Sequence, residues 1–137
     1  MRIPVSQSIP KISFIAPAQD YRTIPGSAIG KDSVSMLARV MAMGKMHKTF
    51  AITAGIPAAI AAVIPNSVVN LVAAGDSPVH GEKEIIIGHP SGMMDVKVDA
   101  KFDLNGPHIV SCTVGRTARK IMEGEVYVSE HVYASMA

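Results

Sequence analysis

The ten residues from Ile56 to Pro65 contain no charged or hydrogen-bonding side chain, and this run limits the possible folds more than any other part of the chain. Ala58, Ala59, Ala61 and Ala62 favour helix, Pro57 suits a first helical turn, and Pro65 stops the helix. A helix apolar all round must be covered all round. Its small side chains let neighbouring backbone come close, so the run predicts a short helix enclosed by sheet. The start of a helix presents unpaired backbone N–H groups and partial positive charge, which favours a bound carboxylate or phosphate. Just upstream lies a glycine-centred basic turn of Gly44, Lys45, His47 and Lys48.

The flanking sequence supplies the sheet. Lys11 to Ala16 alternates as a strand, and the stretch from Ala18 to Lys31 reads as a long loop. Asp32 or Ser33 is expected to cap a helix to about Met43, with Val34, Leu37 and Met41 on one face and Gly44 as its C-terminal glycine. Ser67 to Ala73 and Glu84 to Ile87 read as strands. Gly88-His89-Pro90-Ser91-Gly92 is a tight connection into a strand from Met93 to Ala100, where Asp95, Lys97 and Asp99 alternate with Met94, Val96 and Val98. Asn105-Gly106 signals a hairpin into a strand from about His108 to Val114. A helix from Arg116 to Met122 and a strand from Glu125 to Val128 are expected to follow. The sum is an α+β fold, a curved, mostly antiparallel sheet wrapped around a central apolar helix. Residues 1–10 read as a linker or truncated tail, 11–128 as one lobe, and 129–137 as a tail.

Composition narrows the function. With 48% hydrophobic and 18% charged residues in 137, the chain can bury one core and is not a disordered segment. A net charge of +2 with scattered Lys and Arg gives no nucleic-acid footprint, and no nucleic-acid partner is expected. Ile56 to Ile64 falls far short of the ~20 residues that cross a bilayer, and the first residues lack a signal peptide's apolar region. No membrane partner is expected. The single Cys112 cannot form an internal disulfide, consistent with a cytoplasmic location.

Three segments, MGKMHKTF followed by TAG and the alanine-rich helix, then IGHPSGMMDVKV, then VGRTARKIMEGEVYV, resemble the C-terminal half of the PrpF family in sequence and order. That family comprises isomerases of the 2-methylaconitate, 4-oxalomesaconate and 3-methylitaconate type. The resemblance covers about Pro10 to Val128. It implies one lobe of the diaminopimelate epimerase-like fold, in which substrate lies in a cleft between two similar lobes. It also implies cofactor-independent proton transfer on unsaturated di- or tricarboxylic acids. The family's principal catalytic lysine and cysteine lie in the N-terminal lobe, so no catalytic residue is expected here, and the expected partner is that lobe or a second copy of the chain. The rival reading is a non-catalytic anion-binding or dimerising lobe. A hotdog-like thioester binder shares the buried helix but leaves GHPSG and GRTARKIMEG unexplained.

By this resemblance the substrate-binding residues are Gly44, Lys45 and His47 in the basic turn and Thr53, Ala54 and Gly55 at the helix mouth. Lys45 would neutralise a carboxylate, and His47 would donate a hydrogen bond or shape the turn. The competing readings are solvated lysines, a structural histidine, and Thr53 as an ordinary N-cap. His89-Pro90-Ser91-Gly92 reads mainly as a shaped turn, Cys112 as a buried inert thiol, and Arg116, Arg119 and Lys120 as a solvated face. The five histidines show no metal-ligand spacing, so neither metal nor other cofactor is expected.

Overall fold

Apolar residues recur at every second position along 94–100, and this period lays down the longest strand and with it the core face of the sheet. The structure is a computed structural model that describes residues 11–42, 44–73, 81–116 and 118–128. In chain order the elements are β1 (Ile12–Pro17), β2 (Tyr21–Arg22), β3 (Ala28–Ile29), a 3₁₀ turn (Lys31–Ser33), β4 (Met36–Ala42) and β5 (Lys45–Met46). After these come α1 (Ile52–Val63), α2 (Val68–Val72), β6 (Gly81–His89), β7 (Gly92–Asp103) and β8 (Gly106–Val114). The main sheet runs β1-β4-β6-β7-β8, with β5 beside β4. Every pairing is antiparallel except β4 with β6.

Met36, Ala38 and Val40 of β4, Ile85 and Ile87 of β6, and Met94, Val96, Val98 and Ala100 of β7 form one apolar face. Against it lie Ala58, Ala59, Ala62 and Val63 of α1. The small helix residues allow the close approach that the sequence suggested. A Cβ on Gly55 would sit 2.6 Å from Met94 Sδ, so glycine sets how near the first turn comes to β7. The α+β fold of a mostly antiparallel sheet on a central apolar helix is as expected. The cover on α1 is nevertheless incomplete, since Gly55, Ala58, Ala59, Ala62 and Val63 are buried while Thr53 and Pro57 are exposed. The helix also begins earlier than expected, which places Pro57 inside it rather than in its first turn.

Four local expectations are corrected. The helix expected from Asp32 or Ser33 to Met43 is β4: paired with β1 on one side and β6 on the other, it is buried on both faces. A strand buried on both faces reads as a continuous apolar run, and its Leu37 and Met41, with Val34 just before it, fit a helical stripe by accident. Gly44 (φ +72°) closes the β4–β5 turn instead of a helix. The strand expected from Ser67 to Ala73 is α2, because the Ser67 hydroxyl accepts the Asn70 N–H at 3.0 Å and caps a helix against α1, overriding the β-branched valines. The helix from Arg116 and strand from Glu125 are absent among the described residues 115–116 and 118–128, where Ile121 (86% exposed) and Tyr127 (100%) find nothing to pack on. The hairpin at Asn105-Gly106 forms with Leu104 and Asn105 as its turn and Gly106 (φ +112°) at the strand start. The long loop contains the hairpin β2–β3, while the expected linker 1–10 and tail 129–137 lie outside the described residues.

The β2–β3 hairpin covers the sheet face opposite α1. Tyr21 donates its hydroxyl to Gly92 O at 2.6 Å, and Arg39 stacks 5.8 Å from the Tyr21 ring. Beneath them a Cβ on Gly88 would fall 2.6 Å from Leu37 Cδ2 and 3.0 Å from the Tyr21 hydroxyl. Gly88→Ala is therefore expected to cost about 1–3 kcal/mol by overpacking, read as a lower urea midpoint. An unchanged midpoint would show that the hairpin is not seated there.

Candidate functional site

Because β4 and β6 run parallel, they end on the same side of the molecule, where β1 and β7 begin and β8 finishes. The N-terminus of α1 opens at that end. Its N-cap is Ala51, which has no side chain to offer, and the first helical bonds run from Ala54 and Gly55 N–H to Ala51 O, both at 2.9 Å. The N–H groups of Ile52 and Thr53 precede them and have no intrahelical carbonyl. No acidic residue occupies the first turn. The reading of Thr53 as an ordinary N-cap is thereby replaced: Thr53 lies within the helix, and its hydroxyl stands 3.5 Å from Lys11 Nζ.

Strand register brings the lysines to this mouth. Met36, Ala38 and Val40 face the helix, so Ala42 shares their face, and Lys45 is the register partner of Ala42 across β4–β5. Ile12 pairs with Met41, and one further step puts Lys11 opposite Ala42 on the other side. Lys11 and Lys45 thus flank Ala42 on the helix-bearing face, about two strand spacings (~10 Å) apart. The long-range partner is Lys11, which strand register brings from the start of β1 to Thr53 at the helix start. No described carboxylate lies within ion-pair distance of Lys11, Lys45 or Lys48.

Two turns wall the mouth. His47 N–H donates to Val40 O at 2.9 Å, and its Nδ1 lies 3.2 Å from the Thr49 backbone nitrogen and 3.1 Å from the Thr49 hydroxyl, so the ring is held against its own turn. The Ser91 hydroxyl donates to Lys48 O at 2.6 Å and joins the 89–92 connection to the basic turn. His89 is buried, with Nδ1 accepting the Ser91 N–H at 3.2 Å and a further ring hydrogen bond to the Met93 backbone. Burial lowers its pKa below the usual histidine value, the Met93 bond opposes this, and the Arg39 and Arg116 charges lower it further. In the folded chain His89 therefore resists protonation more than in the unfolded one. Its stabilising effect is complete above about pH 6.5 and is lost as acidification passes the unfolded value toward the lower folded one. The urea midpoint is expected to fall between pH 7.5 and 5.5, and to fall less in His89→Gln. Equal falls in both proteins would contradict this.

Beyond the end of β8, Gly115 and Arg116 pass Asp95, and with Met93 and Met94 they line an open cavity of about 550 Å³. A Cβ on Gly115 would meet the carboxylate of Asp95, an exposed side chain that would have to turn aside. Met94 links this cavity to the first turn of α1. Cys112 is part-buried, and burial raises its thiol pKa, as suits an unreactive side chain.

Of the residues singled out from sequence, Gly44, Lys45 and His47 form an exposed turn at the mouth, and Thr53 and Ala54 lie in the helix start itself. Gly55 lies beneath them, buried, as a spacer against Met94. Lys11 was missed, because only strand register connects position 11 to position 53. The arrangement can neutralise and orient a small carboxylate.

Comparison with known proteins bears on these residues together. The family profile described as "PrpF protein" matches residues 2–129. The chain is 37% identical over 123 residues to a 2-methyl-aconitate isomerase of Shewanella oneidensis, covering 89% of this chain and 30% of that protein. It is 37% identical over 128 residues to a 3-methylitaconate isomerase of Eubacterium barkeri, covering 91% of this chain and 31% of the relative. Among solved structures, that of a methylitaconate-delta-isomerase superposes with a TM-score of 0.67 at 35% identity, over 92% of this chain and 31% of the other. The chain thus spans about 30% of the length of the curated relatives it matches.

Proposed function

Since this chain belongs to the PrpF family, we propose that it is the substrate-clamping lobe of a cofactor-independent isomerase acting on unsaturated di- or tricarboxylic acids. The observation that carries this reading is the uncapped start of α1, with Lys11 at Thr53 and Lys45 across Ala42. One substrate carboxylate sits on the Ile52 and Thr53 N–H groups beside Lys11, and Lys45 neutralises a second. Gly44 and His47 shape the turn that presents Lys45, and Ala54 and Gly55 keep the mouth small. Relatives named for methylaconitate and methylitaconate support this substrate class.

In the reaction proposed, a base removes a proton next to a carboxylate while positioned donors hold the enolate-like charge that develops. This lobe supplies the donors. The base comes from a partner lobe outside this chain, in line with the family resemblance. Among the described residues no helix is long and apolar enough to cross a membrane, and the reading places the protein in the cytoplasm.

The test is deuterium uptake from solvent into cis-aconitate and 2-methylaconitate, followed by NMR. With this chain alone, binding without uptake is expected; uptake would put the base within these residues and contradict the clamp reading. Lys45→Ala is expected to weaken cis-aconitate binding about threefold, since the side chain is exposed, and to reduce its salt dependence. Unchanged affinity and salt slope would remove Lys45 from the site.

A further inference from the structure

The uncovered side of α1 is the wall of a groove. Between β1, α1 and α2 lies a cavity of about 330 Å³, with Lys11 and Thr53 at one end, Pro57, Ala58 and Ala61 along one wall, and Val69 opposite. From Thr53 to Ala61 the helix advances about 12 Å at ~1.5 Å per residue. The two ends differ in chemistry. Lys11 has no carboxylate partner among the described residues, and no acidic residue lines the groove. Past Thr53 the helix wall, Ile15 and Val69 are apolar, and the exposed Ser13 hydroxyl on the β1 side is the one hydrogen-bonding side chain there among the lining residues, so an apolar group loses little in that half of the groove.

We infer that this groove receives an alkyl branch of the substrate, longer than a methyl group, whose neighbouring carboxylate is held by Lys11 and Thr53. The inference rests on the carboxylate-binding reading and adds its selectivity. The charge at one end fixes the ligand's direction, and the exposed Pro57 with the half-buried Ala61 makes the wall. Pro57 and Ala61 leave the space open because neither carries a side chain long enough to fill it. Ala61 is thus the residue that sets how long a branch is accepted.

Three probes test this by calorimetry on the chain: succinate, methylsuccinate and butylsuccinate. Butylsuccinate is expected to bind about tenfold more tightly than methylsuccinate, three further methylenes being partly buried in an open groove. Ala61→Leu, which fills the wall, is expected to abolish that gain and leave methylsuccinate unaffected. Ser13→Leu, an exposed position on the β1 side of the groove, does the same from the opposite wall and serves if the helix variant does not fold. Equal affinity for the methyl and butyl probes overturns the groove; if both still weaken in Lys11→Ala, the carboxylate site stands without it. A butyl gain that survives both leucine variants places the branch elsewhere and also overturns it. Sedimentation showing a dimer, with no alkyl gain, would assign the groove to a second copy instead. Failure of all three probes to bind removes both the groove and the carboxylate reading.

Discussion

Lys11→Glu is expected to weaken cis-aconitate binding by about a hundredfold, and Lys11→Ala by about tenfold. A charge pair at 4 Å is worth about 1 kcal/mol in water and about 4 kcal/mol at the effective dielectric near a protein surface. Lys11 is exposed, so the lower part of that range applies, and ~1.4 kcal/mol is tenfold in affinity. Reversing the charge replaces attraction with repulsion and roughly doubles the energy. Thr53 is also affected, since its hydroxyl loses the Lys11 ammonium at 3.5 Å. The effect should shrink from 50 to 300 mM salt as screening grows. Calorimetry at two salt concentrations checks it, and a Lys11→Glu protein that binds normally would move the carboxylate away from this mouth.

Phe50→Ala is expected to destabilise the fold by about 3–5 kcal/mol. Phe50 is only 2% exposed and lies at the entrance to α1, its ring edge 3.7 Å from where a Cβ on Gly55 would stand. Removing it opens a cavity between the helix start and β7, which a rigid sheet and an already close helix cannot collapse to fill. Against the usual ~5–15 kcal/mol of a small domain, the loss is a large share. Urea unfolding followed by far-UV circular dichroism checks it; a loss under about 1 kcal/mol would show that Phe50 does not anchor the helix.

How legible each part was in the sequence depended on how local its cause is. The apolar run at Ile56 to Ile64 announced the helix, and the alternation along 94–100 announced β7, because each carries its own period. β4 was misread as helix, since burial on both faces erases the period of two and leaves a pattern that either template fits. Ser67 gave a sign that was overlooked, a capping residue before Val68, outweighed by valines that suit a strand. The segment after Gly115 carries helix and strand signals, but an isolated segment without a surface to pack against does not hold either form. Gly44, Lys45, His47 and Thr53 are singled out by the family resemblance, and their nearness in sequence keeps them at one end of the fold. Lys11 is not singled out, because its approach to Thr53 depends on β1 pairing with β4 and on α1 lying on that sheet. His89 reads from sequence as part of a shaped turn, and its buried ring, bonded to the Ser91 N–H, has that place in the structure.

The claim that a carboxylate is held at the start of α1 is tested most directly by ¹⁵N–¹H NMR during titration with cis-aconitate. Saturable shifts centred on the Ile52 and Thr53 amides, lost in Lys11→Glu, are the predicted result. Saturable shifts confined to other residues, or none at all at concentrations that saturate the relatives' enzymes, would contradict it.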